Sequence, residues 1–538
     1  MASITTVAPS AVSQRVTSLL ANRYAQYPAP YGEHFHAAWV ANRAEEREVR
    51  LARAIVAQWL GAARIIEPDE LIVGRLESQA IVWWDFSTGV HFNHELYYQR
   101  LAAADDTERE ALLALKDEWQ GHTTGDLMAR AIMPHELPLM CYHGPSAPGC
   151  PSSPFLVRLA EEGTAGLRQR VLESREAHLY QPGCERPAWW QGMLELLDGI
   201  DAFAAAYAED ARTASADEPD PIRRAELLAL SQREERASQP SATFAEALQA
   251  YWLVALLHRP DSPGRFDQDL APWLERDLAA GRITMDEAQE LVDCIWIKMA
   301  QNRCWSLTLG GQTPEGDDAT NVLTWLCLNS LDRLRTDAPN VELRVHRGTP
   351  PELLRASCQL LAEGFSMPAI VNDEPVINAM LLRGISLEHA RDYTLVGCTQ
   401  VVSRGRCSGA YEDLILNVVK CLELALHDGY DIISGQQMGP HTGAPQDLTS
   451  YADLERAWST QLTYAVEQQV DAINRQFALV GEYYPDLLKS MLIEGCLEQG
   501  KDLRHGGALY TEDLADVLGL TNVAIRCWRS SSLCTSAK

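Results

Sequence analysis

Apolar residues recur every three to four positions through most of this 538-residue chain, which is the spacing of helices that bury one face. The pattern is clearest in four windows, at residues 45–63, 109–119, 193–211 and 243–258. Thr284, which is followed by acidic residues, predicts the N-cap of a further helix. The chain is therefore predicted to be largely helical.

Short β-prone runs lie between these helices, at residues 307–309, 341–346, 369–371 and 393–396. Long helices that alternate with short strands are typical of α/β proteins with a buried sheet. Periodicity does not distinguish an eight-stranded barrel from other α/β architectures. The chain shows no internal repeat or low-complexity tract, so one large domain with helical additions is the simplest prediction.

The sequence VGCTQ at residues 396–400 is the most informative part of the chain. The apolar residues before it predict a buried strand over 393–396. The residues after it predict a tight turn, a loop and then a long amphipathic helix from about Leu414. A cysteine at such a tip, Cys398, is held rigidly and can point into a cavity. On these residues alone, a buried structural cysteine is the commoner outcome.

Charge and composition narrow the functional classes. The net charge of −28 argues against nucleic acid and anionic membrane surfaces as partners, because both carry phosphates. No segment supplies the ~18 uncharged apolar residues that cross a bilayer. The first 20 residues lack the basic start and apolar block of a signal peptide. A cytoplasmic protein is expected.

The 13 cysteines contain no CxxC pair, which argues against a disulfide framework and against a zinc ribbon. Most are expected to be free thiols. Those on helical patterns are predicted to be small core residues, namely Cys294, Cys327, Cys358 and Cys421.

The cysteine segment resembles the cysteine loop of the glycyl radical enzymes, the pyruvate formate-lyase-like superfamily. Further segments resemble the family in the expected order, at residues 264–299, 307–321, 367–377, 426–429 and 500–510. The similarity covers about 46–524 and points to the dehydratase and lyase branch. It implies an α/β fold, a ten-stranded barrel of two half-barrels surrounded by helices, with the cysteine loop inside.

What the resemblance implies for chemistry centres on Cys398, which would become a thiyl radical and abstract hydrogen from a small polar organic substrate. No cofactor would be bound directly. The radical would be installed on a glycine by an activating enzyme that uses S-adenosylmethionine and an iron–sulfur cluster. The resemblance also implies a homodimer.

Gln400 is a departure from the family, because many dehydratase and lyase members carry Cys-x-Glu there, with the carboxylate as a base. Glutamine has no titratable proton, so base catalysis at this position is in doubt. Tyr411 and Asp413 fall where the family places substrate contacts, although Asp413 could equally cap the predicted helix. His143 corresponds loosely to a substrate-side histidine. His91 and His94 have a metal-like spacing without a third ligand, and surface histidines are the preferred interpretation.

The family also stores a radical on a glycine in a loop that reads roughly Arg-Val-x-Gly-Tyr, and residues 1–538 contain no such segment. The resemblance ends at Ala524. We therefore expect an incomplete barrel domain over 1–524, an out-of-frame tail over 525–538 after a frameshift, and no glycine radical domain. The chain is expected to be inactive alone, and a separate glycyl radical subunit is an open alternative.

Two other functions remain open at this stage. A formate acetyltransferase of the pyruvate formate-lyase type is disfavoured because that enzyme has two adjacent cysteines, whereas Gly397 precedes Cys398. The other alternative is a non-catalytic truncated remnant. Acetyl transfer to coenzyme A would identify the first, and absence of a radical signal after activation would support the second.

Overall fold

The computed structural model describes residues 11–85, 89–133, 152–258, 262–408 and 411–525, with backbone only at 411–415 and 513–515. Helices account for most of it. The α-helices are α1 Gln14–Asn22, α2 His34–Ala41, α3 Arg47–Gly61, α4 His94–Ala103, α5 Asp106–Trp119, α6 Thr124–Ala131, α7 Arg158–His178, α8 Pro187–Asp217, α9 Pro221–Glu235, α10 Phe244–His258, α11 Phe266–Ala279, α12 Met285–Gln301, α13 Val322–Leu334, α14 Pro351–Ala362, α15 Asp373–Leu382, α16 Leu387–Arg391, α17 Val418–Leu426, α18 Tyr451–Tyr483, α19 Leu487–Leu492 and α20 Cys496–Gln499.

The strands are shorter and lie mainly in the second half of the chain. They are β1 Ala63–Arg64, β2 Leu76–Glu77, β3 Val82–Asp85, β4 Gly89–Phe92, β5 Ser306–Gly310, β6 Asn340–Val345, β7 Ala369–Asn372, β8 Thr394–Val396, β9 Gln400–Val402, β10 Tyr411–Asn417, β11 Tyr430–Asp431, β12 Gln436–Gln437 and β13 Asp513–Leu518. All four predicted helical windows and all four predicted strands are confirmed, with small shifts at their ends.

Local sequence explains where α12 begins. The Thr284 side chain accepts a hydrogen bond from the Glu287 N–H, and the Glu287 carboxylate accepts one from the Thr284 N–H. This capping box satisfies two backbone donors that a helix start otherwise leaves unpaired. The predicted cap is therefore confirmed, and α12 buries its apolar face in the main core.

A parallel sheet of three strands, β5, β6 and β7, positions the candidate site. Ser306 pairs with Asn340 and Glu342 pairs with Ala369, so the strands run side by side in order. Alternate residues point to opposite faces of a sheet. The face that packs in the helical core carries Leu307, Leu309, Val341 and Leu343. The other face is polar yet buried, and carries Ser306, Thr308, Glu342 and Arg344.

The hairpin of β8 and β9 lies on that polar face. Thr394 pairs with Val402, and Val396 pairs with Gln400. The Thr308 hydroxyl accepts a hydrogen bond from the Leu395 N–H at 3.0 Å and another from the Thr394 hydroxyl at 2.9 Å. These two hydrogen bonds fix the position of the hairpin relative to β5.

One predicted element is wrong. The helix expected from about Leu414 begins instead at Val418, and Tyr411–Asn417 is a strand that pairs in parallel with Asp513–Leu518. Asn417, not Asp413, is the N-cap, since its side chain accepts from the Lys420 N–H at 3.2 Å. The apolar residues of this segment can pair with a distant strand, and local periodicity does not report such a partner.

The prediction that four helical cysteines are core residues is confirmed for three of them. Cys294, Cys327 and Cys421 are buried as expected. Cys358 is exposed, because it lies on the outer face of α14. Among the helices of the described ranges, none has both the length and the apolar character needed to cross a membrane.

Candidate functional site

Cys398 lies in the middle of the three-residue turn between β8 and β9, as predicted. Gly397 has φ of +55° and Thr399 has φ of +80°, so the backbone on both sides of the cysteine is left-handed. Glycine adopts this conformation without cost, whereas threonine is strained there. The thiol is exposed and is not in a disulfide. The enclosed setting expected from the sequence is therefore not what the described residues form.

Two serines hold the peptide groups next to the cysteine. The Gly397 N–H donates to the Ser262 hydroxyl at 3.2 Å, and the Gly397 carbonyl oxygen lies 3.1 Å from the Ser306 hydroxyl. Ser262 precedes α11 and Ser306 begins β5, so two separate elements fix the turn. Both serines are buried.

The Ser306 hydroxyl also contacts Glu342, at 2.6 Å from its Oε1 atom. Glu342 is fully buried on the middle strand of the sheet. Burial raises the pKa of Glu342 to about 8, and the Ser306 hydroxyl and nearby backbone N–H groups oppose this only in part. At neutral pH this carboxyl is therefore mainly protonated.

A buried guanidinium fixes the strand that leads to the cysteine. Arg344 donates to both oxygens of Asp373, at 2.8 and 2.9 Å, and to the carbonyl oxygens of Tyr393 and Arg391, each at 2.7 Å. Its guanidinium carbon lies 3.8 Å from the centre of the Tyr393 ring. The Tyr393 hydroxyl donates to Asp373 at 2.9 Å. Arg344 therefore ties Asp373 to the backbone that leads into the hairpin.

A second group of charges anchors the other side of the hairpin. Asp392 accepts hydrogen bonds from Arg265 at 3.0 Å and from Arg406 at 2.9 Å, and Arg404 lies 3.5 Å away. Burial alone would raise the pKa of Asp392, but Arg404, Arg265 and Arg406 together hold it well below its usual range. This aspartate is ionised under ordinary conditions, and it links the chain before the hairpin to the chain after it.

The exit of the hairpin is tied to a late part of the sequence. Glu512 accepts hydrogen bonds from the Ser403 N–H at 2.7 Å and from its hydroxyl at 3.0 Å. Cys407 forms an isolated parallel bridge with Tyr510. The segment around 510, which resembles the family, therefore packs beside the cysteine loop.

The sequence-predicted site residues fall in different places. Cys398 and Gln400 share one hairpin, where Gln400 is half-buried at the start of β9. The backbone of Tyr411 and Asp413 belongs to β10, and their roles stay predictions. His143 lies outside the described residues.

The histidine pair considered for a metal does not share a helix. His91 is on β4, where its ring stacks on Trp83 at 5.1 Å, and His94 begins α4. Within the described ranges, no group of three or more metal-ligating side chains comes together.

Ser262, Ser306 and Glu342 were not predicted from the sequence. The available signal was the alternation in SLTLG and VELRV, where polar residues occupy every second position of a buried strand. A cavity of about 790 Å³ lies elsewhere, between the β1–β4 segment and the end of α10. A cavity of about 580 Å³ reaches the back of the loop, where Arg404 and Arg406 line it.

Residues 14–524 match the family model described as pyruvate formate lyase-like. The chain belongs to that family. It is part of the glycyl radical enzyme superfamily, on the dehydratase branch. The match begins before residue 46, where the sequence resemblance was expected to start.

Individual relatives agree with this assignment. The (2S)-3-sulfopropanediol dehydratase of Klebsiella oxytoca is 28% identical over 526 residues, which are 89% of this chain and 63% of the relative. The trans-4-hydroxy-L-proline dehydratase of Clostridioides difficile is 28% identical over 62% of this chain and 45% of the relative. This chain thus spans about half to two thirds of these relatives' lengths.

The fold comparison covers nearly the whole chain. A structure determined for 1,2-propanediol dehydration in Roseburia inulinivorans superposes with a TM-score of 0.86 at 26% identity, over 98% of this chain and 71% of the other. The mixed α/β, mostly helical architecture is therefore the barrel fold of the glycyl radical enzymes, as predicted.

Proposed function

We propose that this chain forms the substrate-converting barrel of a glycyl radical lyase or dehydratase, with Cys398 as the hydrogen-abstracting residue. The observation that carries the proposal is the turn itself. A cysteine stands between two left-handed residues, and serines from two elements hold its neighbouring peptide groups. A structural cysteine needs no such support, whereas a reacting sulfur must be held at one position.

The proposed reaction begins and ends with a sulfur radical on Cys398. A sulfur radical on Cys398 takes one hydrogen atom from a substrate carbon, which leaves a thiol and a carbon radical. The carbon radical expels a neighbouring group, for example a hydroxyl that gains a proton and leaves as water, while the substrate gives up one proton from its own O–H or N–H group, so that the product radical is neutral. The thiol then returns a hydrogen atom to the product radical, and the sulfur radical is restored.

Gln400 would orient the substrate in this scheme and would not act as a base. Its amide donates and accepts hydrogen bonds but exchanges no proton near neutral pH. Tyr411, Asp413 and His143 are proposed as substrate contacts on the strength of the family resemblance. A proton needed by the leaving group would come from one of these residues or from the substrate.

The relatives narrow the substrate class. They act on hydroxyproline, on a sulfonated diol and on propanediol, as their names state. We propose a small polar molecule with a hydroxyl group beside the carbon that loses hydrogen. Since Gly397 stands where pyruvate formate-lyase has a second cysteine, acetyl transfer to coenzyme A is not expected.

The proposed partners follow from the same family. An activating enzyme with S-adenosylmethionine and an iron–sulfur cluster would install the radical, and a homodimer is expected. The residues matched to the family, 14–524, contain no Arg-Val-x-Gly-Tyr-like loop. We therefore propose that the glycine radical reaches Cys398 from a loop outside that range, and that the 538 residues alone are inactive.

The test is an anaerobic activation experiment with two arms. The 538-residue protein is incubated with the activating enzyme, S-adenosylmethionine and a reductant, with or without a polypeptide that carries the glycine loop. An electron paramagnetic resonance doublet and product from a hydroxyproline or diol panel are expected only with the polypeptide. In D2O, the product should gain deuterium through the exchangeable thiol of Cys398.

Two matched serine variants test whether the sulfur of Cys398 abstracts the hydrogen. Cys398→Ser should abolish product while leaving the glycyl signal intact. Cys358→Ser, which changes a thiol that is also exposed, should retain full turnover. Product formation by Cys398→Ser at the wild-type rate would refute the assignment, and turnover by the chain alone would refute the need for an external loop.

A further inference from the structure

The Ser306 hydroxyl stands between two oxygen atoms that both need a hydrogen. Its oxygen lies 2.6 Å from Glu342 Oε1 and 3.1 Å from the carbonyl oxygen of Gly397. A serine hydroxyl has one proton to donate, and a backbone carbonyl can only accept. The two contacts are therefore hydrogen bonds at the same time only if Glu342 supplies the second proton.

The protonation of Glu342 thus decides which bonds exist. When the carboxyl is protonated, it donates to Ser306, and Ser306 donates to the carbonyl of Gly397. When the carboxyl is ionised, Ser306 must turn its proton toward the carboxylate, since a bond to a charged acceptor is the stronger one. The carbonyl next to Cys398 then loses its donor.

We propose that Glu342 is a positioning residue, which in its protonated form holds the Cys398 turn through Ser306 for the reaction proposed above. Its role there rests on that proposed function. The geometry itself does not, because the carboxyl, the hydroxyl and the carbonyl all belong to residues of this chain. The turn is thereby a pH-sensitive element, held at neutral pH and released in alkaline solution.

The surroundings of Glu342 support a protonated carboxyl. Its paired residues on the neighbouring strands are uncharged, with Thr308 on β5 and Ala369 on β7. Arg344, two residues further on the same face, is already paired with Asp373 at 2.8 Å. On the hairpin above, the titratable group is the thiol of Cys398. Among the described residues no cation pairs with Glu342, and burial raises the pKa of its carboxyl to about 8.

Hydrogen exchange of the turn tests the proposal without substrate or activator. The exchange of a peptide covering 394–402 is measured from pH 6 to 9.5 in wild type and in Glu342→Gln. The glutamine amide always donates to Ser306, so this variant keeps the turn held at every pH. Comparison at equal pH cancels the intrinsic pH dependence of exchange.

The expected result is a ratio of exchange rates, wild type over Glu342→Gln, that rises with pH. Wild type and Glu342→Gln should exchange alike at pH 6. Above pH 8 wild type should exchange about fivefold faster, the factor that one net hydrogen bond supplies. The midpoint should lie near pH 8. Equal exchange at every pH, or faster exchange of Glu342→Gln at pH 6, would overturn the proposal.

A second variant keeps the test informative if Glu342→Gln does not fold. Ser306→Ala removes the bridging hydroxyl, so its turn should exchange about fivefold faster than wild type at pH 6 and equally at pH 9.5. Glu352→Gln, an exposed change on α14, should follow wild type throughout. A constant ratio between Ser306→Ala and wild type would also refute the proposal. Failure of the proposed catalysis would leave these readouts unchanged.

Discussion

Replacement of Arg344 by lysine tests the most connected polar contact under the cysteine hairpin. The guanidinium makes four hydrogen bonds, two to Asp373 and one each to the carbonyl oxygens of Tyr393 and Arg391. Lysine keeps the charge but has a single nitrogen, which cannot reproduce this planar fork. The variant therefore separates the geometry of the side chain from its charge.

The magnitude follows from the bonds that lysine loses. If the ammonium stays on Asp373, two backbone carbonyl oxygens lose their donor in a buried site, at about 1–3 kcal/mol each. Asp373 keeps the Tyr393 hydroxyl and the Gln312 N–H, at 2.9 and 3.0 Å, so it remains partly satisfied. We expect the free energy of unfolding to fall by about 3 kcal/mol, towards the lower end of the summed cost for the two carbonyl groups.

Thermal unfolding measures this loss. At roughly 2 cal/mol/K of unfolding entropy per residue, a chain of this size loses about 3 °C in Tm for that free energy. Arg347→Lys is the matched control, because the Arg347 side chain is 95% exposed after the same strand. It should move Tm by less than about 0.5 °C. If Arg344→Lys has the same Tm as the control, the hydrogen bonds that lysine loses contribute nothing measurable to stability, and the reasoning is refuted.

Two further predictions concern a buried carboxyl and a helix end. Burial raises the pKa of Glu234 to about 8, so between about pH 4.5 and 8 the native protein holds a proton that the unfolded chain has released, and stability falls as pH rises. The Tm of Glu234→Gln relative to that of wild type should therefore rise by about 1 °C per pH unit between pH 5 and 8 and stay constant above pH 8. A Tm difference that does not change with pH would contradict this. Asn417→Ala should cost about 1 kcal/mol in urea unfolding because it removes the cap of α17, whereas a helix that began near Leu414 would be stabilised by alanine.

The sequence predicted the elements whose pattern is local. The apolar period located α10 and α12, and the run before Cys398 located β8 and its turn. The polar face of the sheet was missed, because strand alternation does not tell whether the polar side meets water or a second layer. Only the hairpin packed above Ser306 and Glu342 makes that face an interior.

Two errors have physical causes of the same kind. Tyr411–Asn417 has a helix-like pattern but pairs with a strand that the sequence gives no means to locate. Cys358 occupies a helix, yet the face that it occupies is decided by what packs on α14. Local propensity is a weak prior wherever a distant partner competes with it.

The pairing of β10 with β13 has a consequence for how this chain is made. In the part of the chain that the structure describes, β10 has β13 as its only strand partner, and their register joins Tyr411 to Asp513. A ribosome adds about 5–20 residues per second, so β10 waits roughly 5–20 seconds for its partner. During that interval an apolar strand edge is open to other chains. Slower translation between these segments should therefore lower the yield of folded protein, although every native contact is unchanged.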